Sequence, residues 1–156
     1  MGKALNKAIE CVYEMGEGSP QVHEYHRRHG TPSLLILTVF NQREAAKLCK
    51  SVFYEIYGKT VIEIGAGVGF LALEMAKHAK RVYAIESDPA WSWTFTQHLY
   101  REKPQNLTWI FGRAEEVCEW LRGDVAIIVT RSGHLKMGFL GRLMAPKVID
   151  VYLVKP

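Results

Sequence analysis

The chain has 156 residues, 20 of them basic and 16 acidic, with a formal charge of +4 at pH 7. This length suits one domain that can bury most of its apolar surface, and a content of 48% hydrophobic and 23% charged residues excludes disordered and fibrous classes. The modest positive charge is compatible with a polyanionic partner without requiring one. The three cysteines, Cys11, Cys49 and Cys118, are widely spaced and outside any CxxC pair, so they suggest neither a disulfide framework nor a metal knuckle, and a reducing cytoplasm is the expected location.

The N-terminus mixes Lys3, Lys7 and Glu10 without the apolar stretch of a signal peptide, and the run Leu34 to Phe40 is too short to cross a bilayer. Leu5 to Met15 has the pattern of a helix, and Gly16-Glu17-Gly18-Ser19-Pro20 reads as a turn or linker. In the basic segment that follows, His23, His26 and His29 recur every third residue, which on a helix aligns them on one face. Without a cysteine partner a solvated basic segment is the preferred reading, with contact to nucleic acid or an acidic protein as the minority one; no metal site is expected. A second helix is expected over Asn41 to Tyr57, where Ala45, Leu48, Val52 and Ile56 recur at three and four residues and form one buried face.

From Gly58 onward short β-branched runs alternate with segments of helical length, the rhythm of βαβ units that build a parallel sheet. The expected strands are Thr60 to Ile64, Arg81 to Ile85, Leu107 to Phe111, Val125 to Val129 and Val148 to Val154. The spacing predicts four helices between them. The second opens on Asp88 as cap and Pro89 at the first helical position, and it ends before Pro104. The fourth, roughly Gly133 to Leu143, contains several glycines and is expected to be short or bent. The fold class is therefore α/β, a doubly wound, mostly parallel sheet of about five strands, with residues 1–57 as a helical extension packed on a core of residues 58–156 in one domain.

The chemistry concentrates in Glu63-Ile64-Gly65-Ala66-Gly67-Val68-Gly69. A glycine-rich loop that leaves a strand and opens a helix presents free backbone N–H groups to a nucleotide-like ligand. The dinucleotide pattern is G-x-G-x-x-G, but this loop runs G-x-G-x-G and places Phe70 where the third dinucleotide glycine belongs. Glu63 at the strand end would repel a pyrophosphate and suits a ligand carrying an ammonium and a sulfonium. Glu86, at the end of the second strand, is placed to accept hydrogen bonds from ribose hydroxyls. These features favour S-adenosylmethionine over a nicotinamide dinucleotide, and an oxidoreductase becomes the weakest alternative.

The segments Val61-Ile62-Glu63-Ile64-Gly65-Ala66-Gly67-Val68-Gly69-Phe70-Leu71 and Val82-Tyr83-Ala84-Ile85-Glu86-Ser87-Asp88-Pro89 resemble the class I S-adenosylmethionine-dependent methyltransferases. The similarity covers roughly residues 40 to 154, and its cofactor motifs are nearest to the ribosomal-RNA adenine dimethylases, which share an E-I-G-x-G-x-G loop and an A-I-E-x-D strand end. The resemblance implies that Gly65, Ala66, Gly67 and Gly69 lie against the methionine and ribose, that Glu63 is near the amino group, that Glu86 holds the ribose and that Ser87 borders the adenine. It also implies that the third strand is followed by a Gly-Asp-Ala turn at the adenine. Here that turn reads Gly112-Arg113-Ala114, with Arg113 in place of the acid and Glu115 and Glu116 as nearby substitutes.

Methyl transfer mainly requires alignment of the acceptor, and a proton acceptor where the nucleophile needs one. Beyond the fourth strand the chain reads Thr130-Arg131-Ser132-Gly133-His134, without the Asn/Asp-Pro-Pro-aromatic tetrad that grips planar amines in this family. Arg131 and His134 are read as solvated surface rather than catalytic, so the catalytic residue and the methyl acceptor stay open. Trp91, Trp93 and Phe95 are read as core for some and partner-facing for others. The family normally adds antiparallel sixth and seventh strands; none is expected here, and the N-terminal residues, a second copy or a partner protein would cover the sheet edge. A non-catalytic cofactor-binding or scaffold subunit is the alternative function.

Overall fold

The computed structural model describes residue 39, residues 41–130 and residues 138–152. The readings at Leu5 to Met15, at the three histidines of residues 23–29, and at Arg131 and His134 lie outside them. In chain order the described elements are α1 (Gln42–Ser51), α2 (Phe53–Ile56), β1 (Thr60–Ile64), α3 (Phe70–Ala76), β2 (Arg81–Glu86), α4 (Pro89–Glu102), β3 (Leu107–Phe111), α5 (Ala114–Val117), β4 (Val125–Thr130), α6 (Gly138–Met144) and β5 (Lys147–Tyr152).

The five strands form one sheet in the order β3-β2-β1-β4-β5, parallel at every junction. The order reverses at β1, whose neighbours are β2 and β4, and in open α/β sheets the crevice at such a reversal, outside the strands' C-terminal ends, is where ligands bind. Because side chains alternate along a strand, β1 sends Val61 into the core under α1, α3 and α4, and Ile62 and Ile64 into the core under α5 and α6. Both layers are apolar because the sheet is covered on both faces. The same alternation puts Glu63 on the α3 face, in register with Ala84 of β2 and Ile127 of β4.

One element departs from the sequence reading. The helix expected over Asn41 to Tyr57 is two pieces, broken at Val52, whose φ of −110° and ψ of 11° leave the helical region. Beside the break the Ser51 hydroxyl donates to the Leu48 carbonyl at 2.7 Å, a local bond that competes with the backbone ladder. The buried stripe is kept across the break, since Ala45, Leu48, Cys49, Val52 and Ile56 all join the core on the α3 face. Asn41 caps α1 by accepting from the Glu44 amide. No helix among the described residues is long and apolar enough to cross a membrane.

Candidate cofactor site

The turn after β1 is built by three glycines in the left-handed region, Gly65 (φ 76°), Gly67 (φ 61°) and Gly69 (φ 89°). The amides of Gly65 and Ala66 both donate to the Ile85 carbonyl at 2.9 Å, which anchors the loop across the top of β2. Gly69 closes the turn by donating to Ala66 and opens α3 by accepting from Leu73. The glycines are not equivalent. A Cβ on Gly65 would meet nothing within 4 Å, so this side of the loop is open, whereas a Cβ on Gly69 would lie 2.1 Å from the Phe95 ring. Open backbone at Gly65 suits the approach of a ligand; Gly69 instead makes room for the Phe95 ring of α4.

Glu86, buried at the end of β2, ties the loop to the rest of the site. Its Oε2 accepts the Gly67 amide at 3.0 Å and its Oε1 accepts the Asp88 amide at 3.1 Å. Burial pushes its carboxyl up to about 7, and these amide bonds oppose the shift. The backbone carbonyl of Glu86 accepts from Gly112, so the turn after β3 is joined to the same strand end.

Glu63 is 2% exposed, and its Oε2 has no hydrogen-bond partner among the described residues. Burial, with the neighbouring Glu86 charge second, pushes its carboxyl up to about 8. A carboxylate desolvated without a counter-charge is costly. An approaching cation would supply that charge, so the acid suits the ammonium and sulfonium of S-adenosylmethionine and does not suit a pyrophosphate. Phe70, at the position of the third dinucleotide glycine, is buried in the core as the first residue of α3.

The structure therefore brings Glu63, Gly65, Ala66, Gly67 and Glu86 together at the C-terminal ends of β1 and β2. Ser87 is exposed at the rim. The Arg113 side chain is 70% exposed and faces Glu115 at 3.7 Å, while Ala114 is buried as the first residue of α5. Trp91 and Phe95 are core residues, and the Trp93 side chain lies outside the described residues.

The sequence reading missed His98. This residue is fully buried on α4, with Nδ1 2.7 Å from the carbonyl of Val68 in the glycine loop and its ring 4.8 Å from that of Phe70. The available signal was a polar residue on the buried stripe formed with Trp91 and Phe95, at i, i+4 and i+7.

No family model matches the chain. The chain is 43% identical over 67 residues to a "probable ribosomal RNA small subunit methyltransferase A" of Pyrobaculum islandicum, a match covering 43% of this chain and 26% of that protein. It is 31% identical over 102 residues to an uncharacterized RNA methyltransferase of Lactiplantibacillus plantarum, covering 61% of this chain and 22% of the relative. The chain thus spans about a quarter of the length of these curated relatives. Among solved structures, a candidate RNA methyltransferase from Pyrococcus horikoshii superposes with a TM-score of 0.56 at 24% identity over 74% of this chain and 60% of that one. A coclaurine N-methyltransferase bound to N-methylheliamine and SAH does so with a TM-score of 0.53 at 19% identity, over 65% of this chain and 31% of that one. The fold is the Rossmann-like fold of class I methyltransferases.

Proposed function

We propose that this chain binds S-adenosylmethionine in the crevice above β1 and β2 and transfers its methyl group to an acceptor in RNA. The observation that carries the cofactor is the buried Oε2 of Glu63, without a partner among the described residues, beneath a glycine loop held by Glu86. In this reading Glu63 balances the cationic methionine end, the Gly65 side of the loop admits the ligand backbone, and Glu86 holds the ribose hydroxyls. Ser87 and the Gly112-Arg113-Ala114 turn border the adenine. The bound cofactor supplies a methyl group on a positively charged sulfur, and what the protein adds is alignment of the acceptor. RNA as the acceptor rests on the relatives, which are named for acting on it.

The residues after β4 favour a second reading, a cofactor-binding subunit that performs no transfer itself. Thr130-Arg131-Ser132-Gly133-His134 stands where the family's amine-gripping tetrad would be. Titration calorimetry of the full chain with S-adenosylmethionine, S-adenosylhomocysteine and NAD tests the cofactor, and binding of NAD alone would remove the proposal. Transfer of a labelled methyl group to RNA, set beside DNA, protein and small-molecule pools, then separates the two readings. Label in RNA supports the first, and tight cofactor binding with no labelled pool supports the second.

A further inference from the structure

The glycine loop, anchored on β2, is also held by α4. On α4, Phe95 fills the space next to Gly69, so closely that a Cβ there would lie 2.1 Å from its ring. One turn further on, His98 reaches the Val68 carbonyl at 2.7 Å. A carbonyl only accepts, so Nδ1 carries the proton and donates. Nε2 is buried and has no partner among the described residues, and burial holds the imidazole below its ordinary value, in the neutral form. A buried ring with one unsatisfied nitrogen is a costly way to fill space that leucine or phenylalanine could fill. What it provides in return is one directed donor to the loop.

Val68 follows Gly67, whose amide points at Glu86. Fixing the Val68 carbonyl restricts the peptide plane between Val68 and Gly69 and leaves the turn less freedom to rotate the Gly67 amide away from the carboxylate. We propose that His98 is a positioning residue for the cofactor site: by donating from Nδ1 to Val68 it holds the glycine loop in the conformation in which Gly67 meets Glu86. The consequence for S-adenosylmethionine rests on the cofactor reading above; the hold on the loop does not.

Two substitutions separate positioning from packing. His98→Leu keeps most of the volume and removes the donor, whereas His98→Asn loses volume but retains an amide donor at the δ position. With both variants folded, S-adenosylmethionine affinity is expected to fall about tenfold in His98→Leu, the scale of one lost hydrogen bond, and to stay within about threefold of the parent in His98→Asn even where its Tm is the lower of the two. A loss in His98→Asn as large as that in His98→Leu, or no loss in His98→Leu, would overturn the proposal. In the unliganded full chain, nitrogen NMR of the histidines is expected to show His98 as the Nδ1–H tautomer, and a proton on Nε2 would overturn it. If the parent protein binds no S-adenosylmethionine, the cofactor reading fails, and amide exchange decides the positioning role: faster exchange of the Gly67 amide in His98→Leu but not in His98→Asn supports it, and equal exchange in all three proteins refutes it.

Discussion

The Gly67 amide donates to Glu86 Oε2 at 3.0 Å, joining the loop after β1 to the end of β2 across 19 positions of sequence. The other oxygen of the same carboxylate accepts from Asp88 at 3.1 Å, at the entry to α4. One side chain thus organises the loop, the strand end and the following helix before any ligand arrives.

Replacing Glu86 with Ala removes both bonds and a carboxylate proposed to hold the ribose. Hydrogen bonds to charged groups contribute about 1.5–3 kcal/mol each, so S-adenosylmethionine affinity is expected to fall by at least about tenfold. Glu86→Gln keeps an acceptor for one amide and is expected to be intermediate. Calorimetric titration checks the order, and equal affinities for all three proteins would remove Glu86 from the site.

The raised carboxyls make stability depend on pH. Glu63 and Glu86 titrate at about 8 and about 7 in the folded chain against an ordinary value of 4.5. Between these limits the native state binds more protons than the unfolded state, so stability falls as pH rises. His98 acts in the opposite sense, because its folded value is lowered from 6.5 and it loses stability as pH falls below that value. The clean window is therefore pH 6.5 to about 8, in which the ligand-free Tm is expected to decrease with pH and Glu63→Gln to flatten the slope. In the same window a cation that favours ionised Glu63 releases protons on binding, a release detectable as a dependence of the calorimetric enthalpy on buffer.

Gly65 and Gly69 share a positive φ but face different surroundings. Gly69→Ala combines backbone strain with a clash against Phe95 and is expected to destabilise by about 2–4 kcal/mol, with partial recovery when Phe95 is also shortened to Leu. Gly65→Ala meets open space and is expected to cost only about 1–2 kcal/mol from its backbone, while weakening the cofactor more than its effect on stability accounts for. Urea denaturation of the single and double variants reads the first effect, and calorimetry reads the second.

Arg113 occupies the N-cap of α5 without a side-chain capping bond. Aspartate at this position can accept from the helix amides, which raises stability by about 0.5–1 kcal/mol, and it restores the acid that the family resemblance leads one to expect beside the adenine. Arg113→Asp is thus expected to raise Tm slightly and to tighten S-adenosylmethionine. A raised Tm with unchanged affinity would separate the cap from the adenine contact.

Much of the fold was legible because each cue is local. The strand boundaries at Thr60–Ile64 and Leu107–Phe111 coincide with their β-branched and aromatic runs, and α4 begins at Pro89, where a missing N–H costs nothing. The break at Val52 was not legible, since both halves keep the same apolar spacing and no glycine or proline marks it. His98 was missed because its meaning depends on a carbonyl 30 positions away.

By itself the sequence determined the succession of strands and helices, the loop that needs left-handed backbone at its glycines, and the acidic character of the two strand ends, because periodicity, φ limits and charge belong to residues one at a time. Only the tertiary structure decided which of those residues share a site and in what state. The parallel register of β1 and β2 puts two carboxyls on one buried face, burial raises both toward neutrality, and the packing of α4 divides the glycines into one that is open and one that is closed. Desolvation and contact are properties of neighbours, and neighbours are assigned by the fold.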